Sequence, residues 1–319
     1  MKGIIFVETL RRSWKQMIYW GLAIGALGLY MFSALPKAPE DYENFIKVIE
    51  EMKPGALQLM GVTDISALMT PEGFIGFAFF GYVLLILAIF AVIAGLNVSA
   101  VDEDNGSMDV MLSLPVHRWQ VILEKTLAYC VMGLGILFMA FIGLVIGSQT
   151  ATDRITLPVD KYFTAVVGLV PGVVFMITVT AFIATFMRRR SGAAIAAGSF
   201  IVGSYFLNIL AGLTNNEFAG NMRYLSFFSY FEATKILTSG WSVVSALVLL
   251  LISIGLVGGA ITLFKNRDVS VESPKIPKTH RGTHRGMAIM PLFISFWGKF
   301  VKIAHDFLMI VGCENPHKC

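Results

Sequence analysis

Six stretches of about twenty residues carry no Asp, Glu, Lys, Arg or His: 17–35, 75–98, 126–148, 164–187, 193–213 and 241–264. A bilayer core is about 30 Å thick and is crossed by about 20 helical residues. Lipid offers no partner to an unpaired backbone group, so a spanning run of this length must be helical. Composition agrees, with 56% hydrophobic residues, 14% charged residues and a mean hydropathy of +0.72. A soluble chain carries about a quarter charged residues. The expected fold is an all-α membrane protein: a six-transmembrane-helix bundle over 17–264, with an N-terminal interfacial helix and a C-terminal amphipathic helix.

Lys and Arg choose the orientation, because cytoplasmic loops hold the excess of both. An even number of spans puts both ends on one side. Of the 25 Lys and Arg, only Lys37, Lys47, Lys53, Arg154, Lys161, Arg223 and Lys235 then fall on the opposite side. Both termini are therefore expected in the cytoplasm, the protein being multi-pass in the cell membrane. The turn Arg188-Arg189-Arg190 is the strongest single anchor. No cleavable signal is evident, and the first apolar run reads as a retained span.

The segments between spans are distinct in kind. Residues 1–16 place Phe6, Leu10 and Trp14 on one helical face and Glu8, Arg11, Arg12 and Lys15 on another, which predicts a helix on the inner membrane surface. Loop 36–74 is acidic, without metal-ligand spacing, and its Thr63, Asp64 and Thr70-Pro71 read as caps or turns. Residues 214–240, with Phe227, Phe228, Tyr230 and Phe231, fit either a re-entrant hairpin or ordinary interfacial anchoring. Segment 265–286 is a basic cytoplasmic linker with Pro274 and Pro277. Tail 287–319 is amphipathic, with Ser295, Lys299, Lys302 and Asp306 opposite Phe296, Phe300, Ile303, Phe307 and Ile310. As a seventh span it would bury two lysines, so a surface-lying helix is favoured.

Within the spans, Trp20, Tyr30, Tyr82 and Trp241 sit where interfacial aromatics are expected. Gly133, Gly135, Gly143, Gly168, Gly172, Gly203, Gly255, Gly258 and Gly259 read as close-packing positions, and Pro171 as a kink. Cys130 reads as a small packing residue, and three cysteines make no disulfide framework.

Several function classes drop out. Proton-coupled transporters, charged filters and voltage sensors bury ionisable groups in their spans, and none is present; Asn208 is among the few strongly polar residues at depth. There is no HExxH and no GxxxxGK[ST], so neither a zinc protease nor a phosphate cradle is encoded. Cys313, His317 and Cys319 lack zinc spacing, as do His280 and His284, and no metal site is expected. Nothing points to nucleic acid. Active transport would need energy from another protein.

Segment 99–121 shows how energy could arrive. Asn105-Gly106 breaks the preceding helix, Ser107 can cap a new one, Met108, Met111 and Leu112 share its face, and Pro115 ends it. An acidic cluster precedes this two-turn helix and Arg118 follows it. Gly106 suits the sharp turn because glycine alone takes positive φ without penalty.

The stretch Asp102-Glu103-Asp104-Asn105-Gly106-Ser107-Met108-Asp109-Val110-Met111-Leu112-Ser113-Leu114-Pro115-Val116-His117-Arg118 resembles a segment of ABC-2-type permeases. There an acid, Gly-Ser/Thr-Leu, a second acid, a Leu pair, Ser, Pro and Arg follow one another after the second span. Met108 and Met111 depart from the usual leucines but stay apolar. Thr70-Pro71-Glu72-Gly73-Phe74 and the six-span layout over 1–264 agree; the tail does not belong to the pattern. The resemblance implies a permease subunit of an ABC exporter, working as a homo- or heterodimer among membrane lipids with two copies of a cytoplasmic ATPase. It implies no catalysis and no bound cofactor on this chain, with ATP and Mg on the ATPase. Asp102, Glu103, Gly106, Ser107, Met108, Met111, Leu112, Pro115 and Arg118 are then coupling residues. The alternative is a membrane-anchored scaffold or assembly factor without a transport path. Charge-free spans suit a hydrophobic or amphipathic cargo, and equally a cargo that meets only loops.

Overall fold

The computed structural model describes residues 3–34, 47, 70–106, 108, 116–150, 157–187, 189–213, 226–231, 236–237 and 243–266. Among these every regular element is helical. In chain order they are α1 (Ile4–Ala34), α2 (Pro71–Ile75), a π-helical turn (Gly76–Phe80), α3 (Gly81–Leu96), α4 (Ala100–Asp104), α5 (Arg118–Thr150), α6 (Val159–Phe186), α7 (Arg190–Leu213), a 3₁₀ turn (Phe227–Phe231) and α8 (Val243–Asn266). The bulk of loop 36–74, residues 214–225, the linker beyond Asn266, tail 287–319 and the Cys313, His317 and Cys319 group lie outside the described residues.

Among the described residues five helices are long and apolar enough to cross a membrane, and the expected first span 17–35 is not one of them: Glu72–Leu96, Arg118–Thr150, Val159–Phe186, Arg190–Leu210 and Val243–Lys265. Only Arg118–Thr150 overruns its uncharged stretch, 126–148, at both ends. Thr70 caps α2: its hydroxyl accepts from Gly73 N at 3.1 Å, and Pro71 takes the first helical position, where its missing N–H costs nothing.

The N-terminal helix differs from expectation. Residues 3–16 are not a helix separate from the first apolar run; α1 continues through both from Ile4 to Ala34. It lies along α5 in the same direction: Met17 meets Gly135, Gly25 meets Gly143, and Phe32 meets Gly147. A Cβ built on Gly143 would lie 2.6 Å from the Gly25 Cα, so the two backbones touch. Small residues permit this approach, and in lipid it is packing rather than a hydrophobic drive that joins helices.

The other directions follow from similar pairs. Trp20 packs on Phe90, with centroids 6.0 Å apart, while Gly28 meets Phe79, so α3 runs against α1. Gly95 abuts Thr180 and Ala181, and Glu72 pairs with Lys161 at 2.6 Å, so α6 runs with α3. Gly133 against Val173 and Ile177, with Phe141 on Phe163 at 5.9 Å, sets α6 antiparallel to α5. Trp20 is therefore a buried core ring and not the interfacial anchor its position suggests, whereas Tyr30 is exposed.

The glycines divide. Gly133, Gly135, Gly143, Gly168 and Gly259 face close neighbours, but Gly203, Gly255 and Gly258 face open space, so the packing expectation fails for these three within this chain. Helix α6 is continuous through Pro171. Its buried Thr178, Thr180 and Thr185 hydroxyls return to the carbonyls of Phe175, Met176 and Ala181 at 2.8–2.9 Å, which keeps them satisfied away from water.

Candidate functional site: the junction around the α4 segment

Helix α3 ends at Asn97, and a short turn through buried Ser99 starts α4. The Ser99 hydroxyl lies 3.5 Å from that of Thr185 on α6. After one turn the chain stops where the sequence says it should. Asn105 N donates to Val101 O and Gly106 N to Glu103 O, each at 3.1 Å, and Gly106 takes φ +68°. That is the left-handed stop for which glycine is the default residue.

The acidic cluster splits by direction. Asp102 turns inward and forms an ion pair with Lys125 on α5; the Lys and Asp side chains are 6% and 15% exposed. Glu103 is half-buried, while Asp104, Asn105 and Gly106 face outward. Across the gap, His117, Arg118 and Trp119 are exposed at the start of α5. Met108 is buried, 1% exposed, within the chain's own hydrophobic core. In this conformation its side chain is covered by its own bundle. Ser107, Met111, Leu112 and Pro115 lie outside the described residues.

Two residues that sequence reasoning did not single out complete the junction. The Glu124 carboxylate, one position before Lys125, accepts from Gly3 N at 2.9 Å, Ile5 N at 3.0 Å and Phe6 N at 3.1 Å. These are donors that the first turn of α1 leaves unpaired. A carboxylate there is also favoured by the positive end of the helix dipole. The α1 first turn carries no acid of its own, so the cap is supplied from more than a hundred residues away. Tyr129, one turn further along α5, lies beside Ser13 of α1 and Asn97 of the α3 end. The start of α1, the end of α3, α4 and the first turns of α5 thus meet in one polar knot.

A family model described as ABC-2 family transporter protein matches residues 8–269. The chain belongs to the ABC-2 transporter family. No curated protein matches it. Membership makes this ABC-2 chain a multi-pass membrane component of a transporter, of a kind that works with ATPase subunits and is not itself catalytic. The match takes in the α4 segment and the whole of α2 to α8.

The opposite side of the ABC-2 bundle has its own fixed point. Ser226 Oγ donates to Ser204 O of α7 at 2.6 Å, and Phe227 N donates to Ser204 Oγ at 3.2 Å. Phe227 stacks on Phe200 of α7, 6.1 Å and 14° apart, and lies 5.2 Å from Phe175 of α6. Ser204 is nine residues before the end of α7, about 13 Å along the helix. The 3₁₀ turn therefore packs against α7 well before that helix ends. Nearby on α7, Asn208 Oδ1 is buried with no hydrogen-bond partner among the described residues.

Proposed function

We propose that this chain is the transmembrane permease subunit of an ATP-driven exporter, with residues 102–118 as the segment on which a separate cytoplasmic ATPase docks. The observation that carries the proposal is the exposure of Asp104, Asn105 and Gly106 at the end of α4 and of His117, Arg118 and Trp119 at the start of α5, while Asp102 and Met108 are held inward. A segment so anchored at its root and open at its tip can receive a partner and pass on its movement. ATP and Mg belong to that partner, and this chain holds no cofactor.

The proposed layout has six spans, α1 supplying the first, with both termini cytoplasmic. In support, α1 runs parallel to α5 and antiparallel to α3, as first, third and second spans must. Two permeases and two ATPases make the complex. Helices α7 and α8 leave most of their apolar surface uncovered in one chain, including Ile195, Phe206, Val244 and Ile254. Closure of the ATPases would rock the permease halves and alternate access to a path between them.

Affinity purification of the tagged chain, expressed with its chromosomal neighbours, tests this. A P-loop ATPase should co-purify in stoichiometric amount. A chain that never retains one under mild detergent is the scaffold of the alternative reading. Orientation has its own check: cysteines at Glu43 and Asn215 should label from outside intact cells, and one at Ser191 only after permeabilisation. The reverse pattern overturns the span count or its direction.

A further inference from the structure

We propose that Glu124 and Lys125 are positioning residues that join α1, α4 and α5 into one lever, so that displacement of the α4 segment moves the outer ends of α1 and α5 together. The inference rests on the proposed docking of an ATPase at 102–118. Successive residues on a helix point about 100° apart, so adjacent side chains can grip two different neighbours. Glu124 grips the α1 backbone through three N–H groups at 2.9–3.1 Å, and Lys125 grips α4 through Asp102.

The grip on α1 is backbone-directed and multivalent, so it fixes where the helix starts. Charge-assisted bonds of this kind are about twice as strong as neutral ones. The grip on α4 is largely removed from water, where a carboxylate and an ammonium hold each other more firmly than at a surface. Beyond the junction, α1 and α5 stay in contact to Phe32 and Gly147, with backbones touching at Gly25 and Gly143. Helix α5 has 33 residues, which is about 50 Å of rise. A small rotation at its root becomes a larger displacement at its far end.

The test uses the complete permease–ATPase complex in lipid nanodiscs, with the native cysteines replaced. Spin labels at exposed Leu29 of α1 and exposed Val159 at the start of α6 report the outer ends. In the parent complex, trapping with ATP and vanadate should shift the distance between them. Glu124→Gln, which keeps the shape but loses the charge, should cut that shift to less than half while ATPase retention and basal hydrolysis stay at parent values. It should also raise hydrogen exchange at Ile5 and Phe6 at least tenfold without changing the rest of α1. Lys125→Asp alone should cut the shift too, and Lys125→Asp with Asp102→Lys should restore it. That rescue separates a lever from simple loss of folding. A parent-sized shift in both Glu124→Gln and Lys125→Asp overturns the lever and leaves the exporter reading standing. A parent complex with no ATPase bound removes both.

Discussion

Met111→Ala combined with Leu112→Ala is expected to strip the ATPase from the purified permease, a loss of tenfold or more in retention, while the permease stays folded. Two apolar anchors on a docking helix can each contribute about 2 kcal/mol to an interface. The informative partner variant is Met108→Ala. Met108 is already covered by its own chain, and truncating a buried methionine costs about 2–5 kcal/mol of folding stability. It should therefore lower the yield and thermal stability of the permease, with any ATPase loss following from that. Gly106→Val acts by a third route. Open space surrounds this glycine, so no atom is displaced, but φ +68° costs a side-chain-bearing residue about 1–2 kcal/mol. The end of α4 should tilt and ATPase retention fall with fold intact. Glu50→Ala with Glu51→Ala, in the acidic loop, should change nothing at the ATPase. Full ATPase binding and full transport in the 111/112 double variant would sink the docking assignment.

What was legible in the sequence is what local rules govern. Five of the six uncharged runs fall in helices long and apolar enough to cross a membrane among the described residues, and Thr70-Pro71 and Asn105-Gly106 mark a helix start and stop from two residues each. Both appear in the structure as read, the one by its hydroxyl cap and the other by its positive φ. The junction was not legible, because its partners are distant in sequence. Glu124 looks like an ordinary charge just before an apolar run, and nothing local says that it caps a helix starting at residue 4. Lys125 looks like any positive-inside charge, and its burial against Asp102 depends on how α4 folds back. Met108 shows the limit of amphipathic patterns: an apolar side chain on a surface helix looks the same whether it meets its own bundle or a partner. Trp20 fails similarly, since nearness to a span end does not say which way the ring points. The continuity of α1 was missed because a change of composition at residue 17 was read as a change of element, although neither Gly nor Pro interrupts residues 4–20.

The second large effect is expected at the α1–α5 contact. Gly143→Val should sharply reduce the amount of folded permease recovered from membranes, more than any other single glycine substitution in this pair of helices. A new Cβ at 143 meets backbone, with Gly25 Cα at 2.6 Å and Gly25 C at 2.8 Å. Backbone cannot rotate away, so the helices must part along the line from Met17 to Phe32. Overpacking typically costs about 1–3 kcal/mol, and the upper end applies where no side chain can yield. At Gly21 and Gly135 the obstacle is the sulfur of Met139 and of Met17. Methionine is flexible enough to repack, so Gly21→Ala and Gly135→Ala should be mild. Gly255→Val, with nothing within 4 Å, controls for the membrane environment and should be neutral in the isolated permease. Thermal unfolding in detergent, followed by the monodisperse fraction on size exclusion, ranks the four. If Gly143→Val unfolds at the same temperature as Gly255→Val, the touching backbones do not hold α1 to α5, and the lever loses its shaft.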